Sequence, residues 1–258
     1  MAALIFRGCL FLAALLVVTI APTHSALSQG FGKFGQEPIN APGDYALVRD
    51  PTGMAPEPQV HLFKINAGTC SSKPYGNGLN DCHFQSVRNQ LFEKKRTQPR
   101  EAWYSWSMYF PAGFALGRNQ KAGGTYSFAY WHNLECPNVD LGIAEGSNRL
   151  FLQTNIYAGP GNCTPDQRID LGSLQPRIGA WQRVEMHVLW SNGKEGIVEV
   201  YLNGALTGTL RGRNITAGAP KDNYFKFGLY LHGTRDTKKV TPVQLMFTTP
   251  TRTKSRTQ

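Results

Sequence analysis

"YFKFGLYLH", residues Tyr224–His232, decides the fold. Successive side chains on a β-strand point to opposite faces, so Phe225, Phe227, Leu229 and Leu231 form one row and Tyr224, Lys226, Gly228, Tyr230 and His232 the other. The first row is wholly apolar and needs a core. The second carries two phenols, an ammonium and an imidazole on a face left to water, where they can do chemistry. Gly228 removes a side chain from the middle of that face and lets a ligand approach the backbone.

The same period of two recurs upstream. "AWYSWSMYFPAG" (102–113) aligns Tyr104, Trp106, Met108 and Phe110, and "RLFLQTNIY" (149–157) aligns Leu150, Leu152, Thr154 and Ile156. "WQRVEMHVLW" (181–190) aligns Val184, Met186, Val188 and Trp190, and the Gly-containing turn "SNGKEG" leads into Val198, Val200 and Leu202, a hairpin. No segment sustains a helical period. Many antiparallel strands with one apolar face each predict an all-β fold, a two-sheet antiparallel β-sandwich of the jelly-roll, concanavalin-like kind. In "YSFAYWHNLEC" (126–136) alternation places Tyr126, Phe128, Tyr130 and His132 on one face, with Tyr130 and Tyr126 as stacking surface for a ligand.

The 258 residues suit a single domain, expected over 59–248. Residues 1–26 read as a signal peptide, with Arg7, an apolar run to about Ile20, then Pro22 and the small Ser25 and Ala26. A membrane span needs about 20 apolar residues, and neither this run nor any other supplies them. The leader implies a secreted or periplasmic protein. Residues 27–58, rich in Gly and Pro, read as an extended N-terminal arm on the outside of the domain. The basic end "TRTKSRTQ", within 249–258, reads as a disordered tail.

Beyond the leader remain Cys70, Cys82, Cys136 and Cys163, an even number that favours two disulfides in an exported chain. Three connectivities exist, and pairing nearest neighbours, Cys70 with Cys82 and Cys136 with Cys163, is preferred. No Cys-x-x-Cys pair argues for zinc, and no metal or cofactor is expected. "NCT" at Asn162 and "NIT" at Asn214 fit the glycosylation triplet. The net charge is +10, of which the leader removes only Arg7. Such a surplus on an exported chain suggests a polyanionic partner. Export, and the lack of aromatics interleaved with a dense basic run, argue against nucleic acid. A monomer is expected.

Three strand motifs, "VRNQLF" (87–92), "AYWH" (129–132) and "YFKFGLY" (224–230), resemble in order and spacing those of jelly-roll polysaccharide lyases. These are the alginate lyases with Arg-x-Glu-Leu, Gln-Ile-His and Tyr-Phe-Lys-Ala-Gly-x-Tyr motifs, and the related glucuronan and heparin-lyase-I-like enzymes. "GAWQRVEMHVLWSNGKEGIVEVYLNG" (179–204) is similar to a hairpin of the latter group, and the resemblance runs from about Cys82 to Leu231. It implies cleavage of an acidic polysaccharide, of the glucuronan, alginate or glycosaminoglycan kind, by β-elimination. That reaction removes the C5 proton, stabilises charge on the uronate carboxylate and protonates the leaving O4. Preorganised donors against the carboxylate supply a large catalytic term, and His or Tyr can move the protons.

By the resemblance, Arg88 holds the carboxylate, His132 is base or carboxylate neutraliser, and Tyr230 is acid, or acid and base. Lys226 matches the motif lysine, Tyr224 lines the groove, and His232 lies beyond Tyr230 on the same face. Two positions depart from the pattern: Tyr130 stands where the motif has glutamine, and Gln90 where it has glutamate. A phenol donates one hydrogen bond but is no amide. Gln90, on the face of Arg88, is expected to take over that part, with Asn89, Asn133 and Gln153 as other candidates.

Two further readings share the shape. A non-catalytic acidic-glycan-binding module would stack sugars on Tyr130, Tyr157 and Trp131. A glycoside hydrolase would need two carboxyl groups about 5 to 9.5 Å apart, but Glu185 and Glu199 lie on separate strands in the body of the sandwich. His83 and His187 read as structural or solvent-facing.

Overall fold

Period-two patterning becomes fifteen strands among the described residues. In chain order they are β1 (Phe34–Gln36), β2 (Tyr45–Arg49), β3 (Gln59–Ile65), β4 (Val87–Glu93), β5 (Glu101–Tyr109), β6 (Gln120–Asn133), β7 (Cys136–Ala144) and β8 (Arg149–Tyr157). There follow β9 (Cys163–Ser173), β10 (Trp181–Leu189), β11 (Ile197–Leu202), β12 (Ala205–Arg211), β13 (Tyr224–Thr234), β14 (Val243–Phe247) and β15 (Thr251–Thr253). The structure, a computed structural model, describes residues 30–256 apart from 38–43, 75–77, 95–97, 115–119, 134–135, 145–146, 160–161 and 217–222. The expected signal peptide lies outside the described residues.

Two antiparallel sheets form the sandwich. One has the order β1-β4-β13-β6-β7-β8-β9, the other β12-β11-β10-β5-β14-β3-β2, with β15 also paired to β5. The apolar parities meet between them: Val87, Phe128, Leu141, Leu152 and Phe227 from the first sheet against Phe63, Met108, Val184, Val200 and Phe247 from the second, all fully buried. Phe227 meets Phe63 and Phe247 edge-on, with ring centroids 5.6 and 5.5 Å apart. Each such side chain contributes roughly 1.5–3 kcal/mol by leaving water. This drives the row Phe225, Phe227, Leu229 and Leu231 inward and leaves the opposite row of β13 on the outer face.

Both ends of the chain differ from expectation. The described part of the arm, residues 30–37 and 44–58, does not lie outside the sandwich: β1 and β2 extend the two sheets, and Phe31 enters the core, where it stacks on Phe225 at 4.9 Å. Gly35 makes this possible, because a Cβ there would stand 2.6 Å from the ring of Phe92 on β4. A Gly- and Pro-rich composition concealed two short edge strands. Nor is the tail disordered over its described part. Thr251–Thr253 pairs with β5, and buried Arg252 places Nη1 2.9 Å from the carboxylate of fully buried Glu93. Removing either member would strand a buried charge, which costs roughly 3–5 kcal/mol. Such a pair has no sequence period to betray it.

The disulfides are Cys70–Cys82 and Cys136–Cys163. The first closes the turn that carries Asp81, and the second ties the start of β7 to the start of β9. Of the two glycosylation triplets only Asn162 is exposed. Asn214 is buried and its Nδ2 donates to the carbonyls of Leu189 and Ile197, at 2.8 and 3.2 Å, so it is closed to a glycan.

Candidate active site

The outer face of the seven-stranded sheet carries the polar parities of β4, β13 and β6 side by side. Register sets Tyr230 opposite Arg88, Gly228 opposite Gln90, Lys226 opposite Tyr130 and Tyr224 opposite His132. Continuing across, Tyr130 faces Asp140 on β7, Asp140 faces Gln153 on β8, and Gln153 faces Arg168 on β9.

The aromatic row expected in "YSFAYWHNLEC" is broken by a bulge. Ser127 and Ala129 pair with the consecutive Gly142 and Leu141, so Phe128 is one extra residue in β6. One insertion inverts the parity of everything beyond it. Tyr126 and Phe128 therefore join Ala129 and Trp131 in the core, whereas Ser127, Tyr130 and His132 lie on the outer face. Trp131, fully buried, is no sugar platform. Tyr130 is 1 % exposed, so it is part of a floor rather than an open stacking surface.

Exposure sorts the site into two layers. Arg88, His132 and Tyr230 are half-buried and His232 is exposed, while Gln90, Tyr130, Lys226, Asp140 and Gln153 are buried beneath them. The upper groups are linked. The Arg88 guanidinium sits 4.4 Å over the Tyr230 ring, Tyr230 lies 6.1 Å from Tyr130, and His132 lies 6.3 Å from Tyr130 and 5.4 Å from Tyr224, ring to ring. Arg88 is held from below by Asp81 at 2.5 Å, and Nδ1 of His232 lies 3.1 Å from the Tyr230 hydroxyl.

The two departures from the motif pattern turn out to be one device. The Tyr130 hydroxyl donates to Gln90 Oε1 at 2.8 Å. That bond fixes the Gln90 amide and leaves its Nε2 without a hydrogen-bond partner among the described residues. Gly228 lies between them on β13. Its φ of 130° belongs to glycine, and a Cβ there would meet the Asn89 carbonyl at 2.5 Å. Asn89 itself turns inward, donating to the backbone of Asp44 and Lys64, and is not part of the face.

Two expected ligands are already engaged. Lys226 is buried and ion-paired to Glu37, just beyond β1. Gln153 gives its oxygen to Arg168 Nε and an amide hydrogen to Asn155, which makes it a support. Sequence reasoning missed Asp81, Glu37, Asp140 and Arg168. Each is a lone charge in a strand or turn, and only the register shows what it faces.

Burial raises the pKa of both Tyr130 and Tyr230, with the charge of Arg88 opposing in each case. Both phenols thus hold their protons at neutral pH. Burial likewise pushes the Asp140 carboxyl up from the ordinary 3.8 to about 7, against weaker pulls from the Ser127 hydroxyl and Arg168. The folded chain then keeps a proton that the unfolded chain releases. The associated stability is full below about pH 4 and is lost as pH rises through 7. Asp140→Asn keeps the acceptor for Ser127 and cannot ionise. It is expected to stabilise the protein near pH 8 by up to about 4 kcal/mol and to change little near pH 4, as urea melts at the two pH values will show.

Residues 66–243 match the family model described as polysaccharide lyase. Among solved structures, the chain is similar to an endo-β-1,4-glucuronan lyase from the fungus Trichoderma reesei, at 14% identity, 86% of this chain, 92% of that one and a TM-score of 0.62. It is also similar to an alginate lyase from Chlorella virus, at 13% identity, 87% and 94% coverage and a TM-score of 0.52. An alginate lyase from Klebsiella pneumoniae gives 15%, 83% and 85%, and 0.52. At these identities the likeness is one of fold. No curated protein sequence matches the chain.

Proposed function

The chain belongs to the polysaccharide lyase family, and on that premise we propose that it is an exported, monomeric enzyme that cleaves a uronate-containing polysaccharide by β-elimination. One observation carries this reading. Arg88, His132 and Tyr230 form the half-buried upper layer of one sheet face, linked through Tyr130 and set on a buried polar floor. Glucuronan and alginate, named for the similar structures, are both polyuronates. The leader and the two disulfides support export.

The uronate carboxylate lies against Arg88, above the floor in which the buried Gln90 amide leaves Nε2 unpaired among the described residues. Neutralising it acidifies the C5 proton, which His132 removes. The C5–H electron pair forms the C4–C5 double bond, the C4–O4 bond breaks, and O4 takes the Tyr230 proton. Tyr230 is the acid because burial keeps its proton in place. His232, exposed and against its hydroxyl, returns a proton from solvent.

The structure weighs against the other two readings. Trp131 lies in the core, and Glu185 and Glu199 are on the opposite sheet, paired with Arg183 and Arg256 and with His187. Incubation with glucuronan or alginate is expected to release unsaturated uronate ends that absorb in the ultraviolet. A folded protein that releases none from any polyuronate contradicts the proposal.

A further inference from the structure

Resting on the polyuronate reading, we propose that Arg168 forms a second carboxylate-binding subsite, which grips a uronate several residues from the bond being cut. Among the described residues, the cations of the outer face are not equivalent. Arg88 is paired with Asp81 and Lys226 with Glu37, whereas Arg168 has no carboxylate ion-pair partner among the described residues.

It is nevertheless not a loose surface arginine. Its guanidinium lies 4.5 Å over the ring of buried Phe151, and its Nε donates to Gln153 Oε1 at 2.5 Å. Gln153 donates in turn to Asn155, and Asn155 to the Pro137 carbonyl, next to the Cys136–Cys163 disulfide. Gln153 and Asn155 are both buried, so the chain of amides is rigid. Arginine has five N–H donors in a planar fork. With Nε used, the two terminal nitrogens remain for a bidentate carboxylate, the geometry in which guanidinium binds best.

Position fits the same role. The proton-transfer groups His132 and Tyr230 are on β6 and β13, and Arg168 is on β9, three strands beyond β6. Three spacings of about 4.8 Å put it roughly 14 Å along the face. A short oligosaccharide held at the cleavage point does not reach that far, but a polymer crossing the strands does.

The test compares wild type, Arg168→Gln and Arg168→Lys on a long polyuronate and on the shortest oligosaccharide the enzyme cleaves. For Arg168→Gln, KM on the polymer is expected to rise about tenfold or more, the worth of a charge-assisted hydrogen bond, with kcat nearly unchanged. KM on the short substrate should stay as in wild type. The salt dependence of polymer KM should weaken, and Arg168→Lys should recover part of the loss. An unchanged polymer KM, or an equal rise on both substrates, overturns the subsite. If wild type cleaves no polyuronate, the functional reading fails by itself. The subsite is then judged by salt-sensitive polyuronate binding, which Arg168→Gln must weaken, and equal binding overturns it.

Discussion

Tyr230→Phe is expected to lower kcat by roughly 10²–10⁴-fold, the usual worth of a positioned general acid, with little change in KM or melting temperature. The ring would stay, and with it the contact under the Arg88 guanidinium at 4.4 Å and the packing against Tyr130 at 6.1 Å. Only the hydroxyl goes, and with it the proton for O4 and the contact to His232 at 3.1 Å. Steady-state rates of unsaturated product, with a thermal melt as control, check this. A variant that keeps a tenth or more of wild-type kcat removes Tyr230 from the chemistry.

Gln90→Leu should cost almost as much. Removing one preorganised donor from a site of developing negative charge typically lowers kcat by about 10²–10³-fold. Gln90 is fully buried, with its oxygen held by Tyr130 and its nitrogen unpaired among the described residues. Leucine fills similar space and leaves no amide N–H dipole beneath the carboxylate. Tyr130→Phe removes only the bond that orients the amide and is expected to cost about tenfold, a smaller loss of the same kind. Because Tyr130 acts through Gln90, the double variant should be no worse than Gln90→Leu alone, the non-additivity of residues in contact. Additive losses would show that Tyr130 and Gln90 act separately.

The sandwich and the groove face were legible because both follow from a period of two. Once Phe225, Phe227, Leu229 and Leu231 are committed to the core, Tyr224, Lys226, Tyr230 and His232 have only the outer face. The disulfide pairs were legible too, since neighbouring cysteines close short loops. What escaped had no period. A single inserted residue, Phe128, moved Tyr126 from the groove to the core. Pairs such as Arg252 with Glu93 and Lys226 with Glu37 join residues far apart in the chain, where charge spacing carries no signal. For that reason the arm and the tail read as loose segments, although each places a strand in a sheet. Tyr130 was readable as an anomaly, but its explanation required Gln90 across Gly228 on the neighbouring strands.

The most direct test of the elimination on this face is cleavage of a polyuronate in oxygen-18-labelled water, with the new chain ends read by mass spectrometry. Elimination breaks the C4–O4 bond, so the glycosidic oxygen leaves on C1 of the neighbouring sugar as the hydroxyl of the new reducing end, and no water is added. An unsaturated uronate is expected at one new end, with no label fixed by bond cleavage at the other once slow exchange of the reducing end is subtracted. One labelled oxygen per cut, with saturated ends, would mean hydrolysis and contradict it.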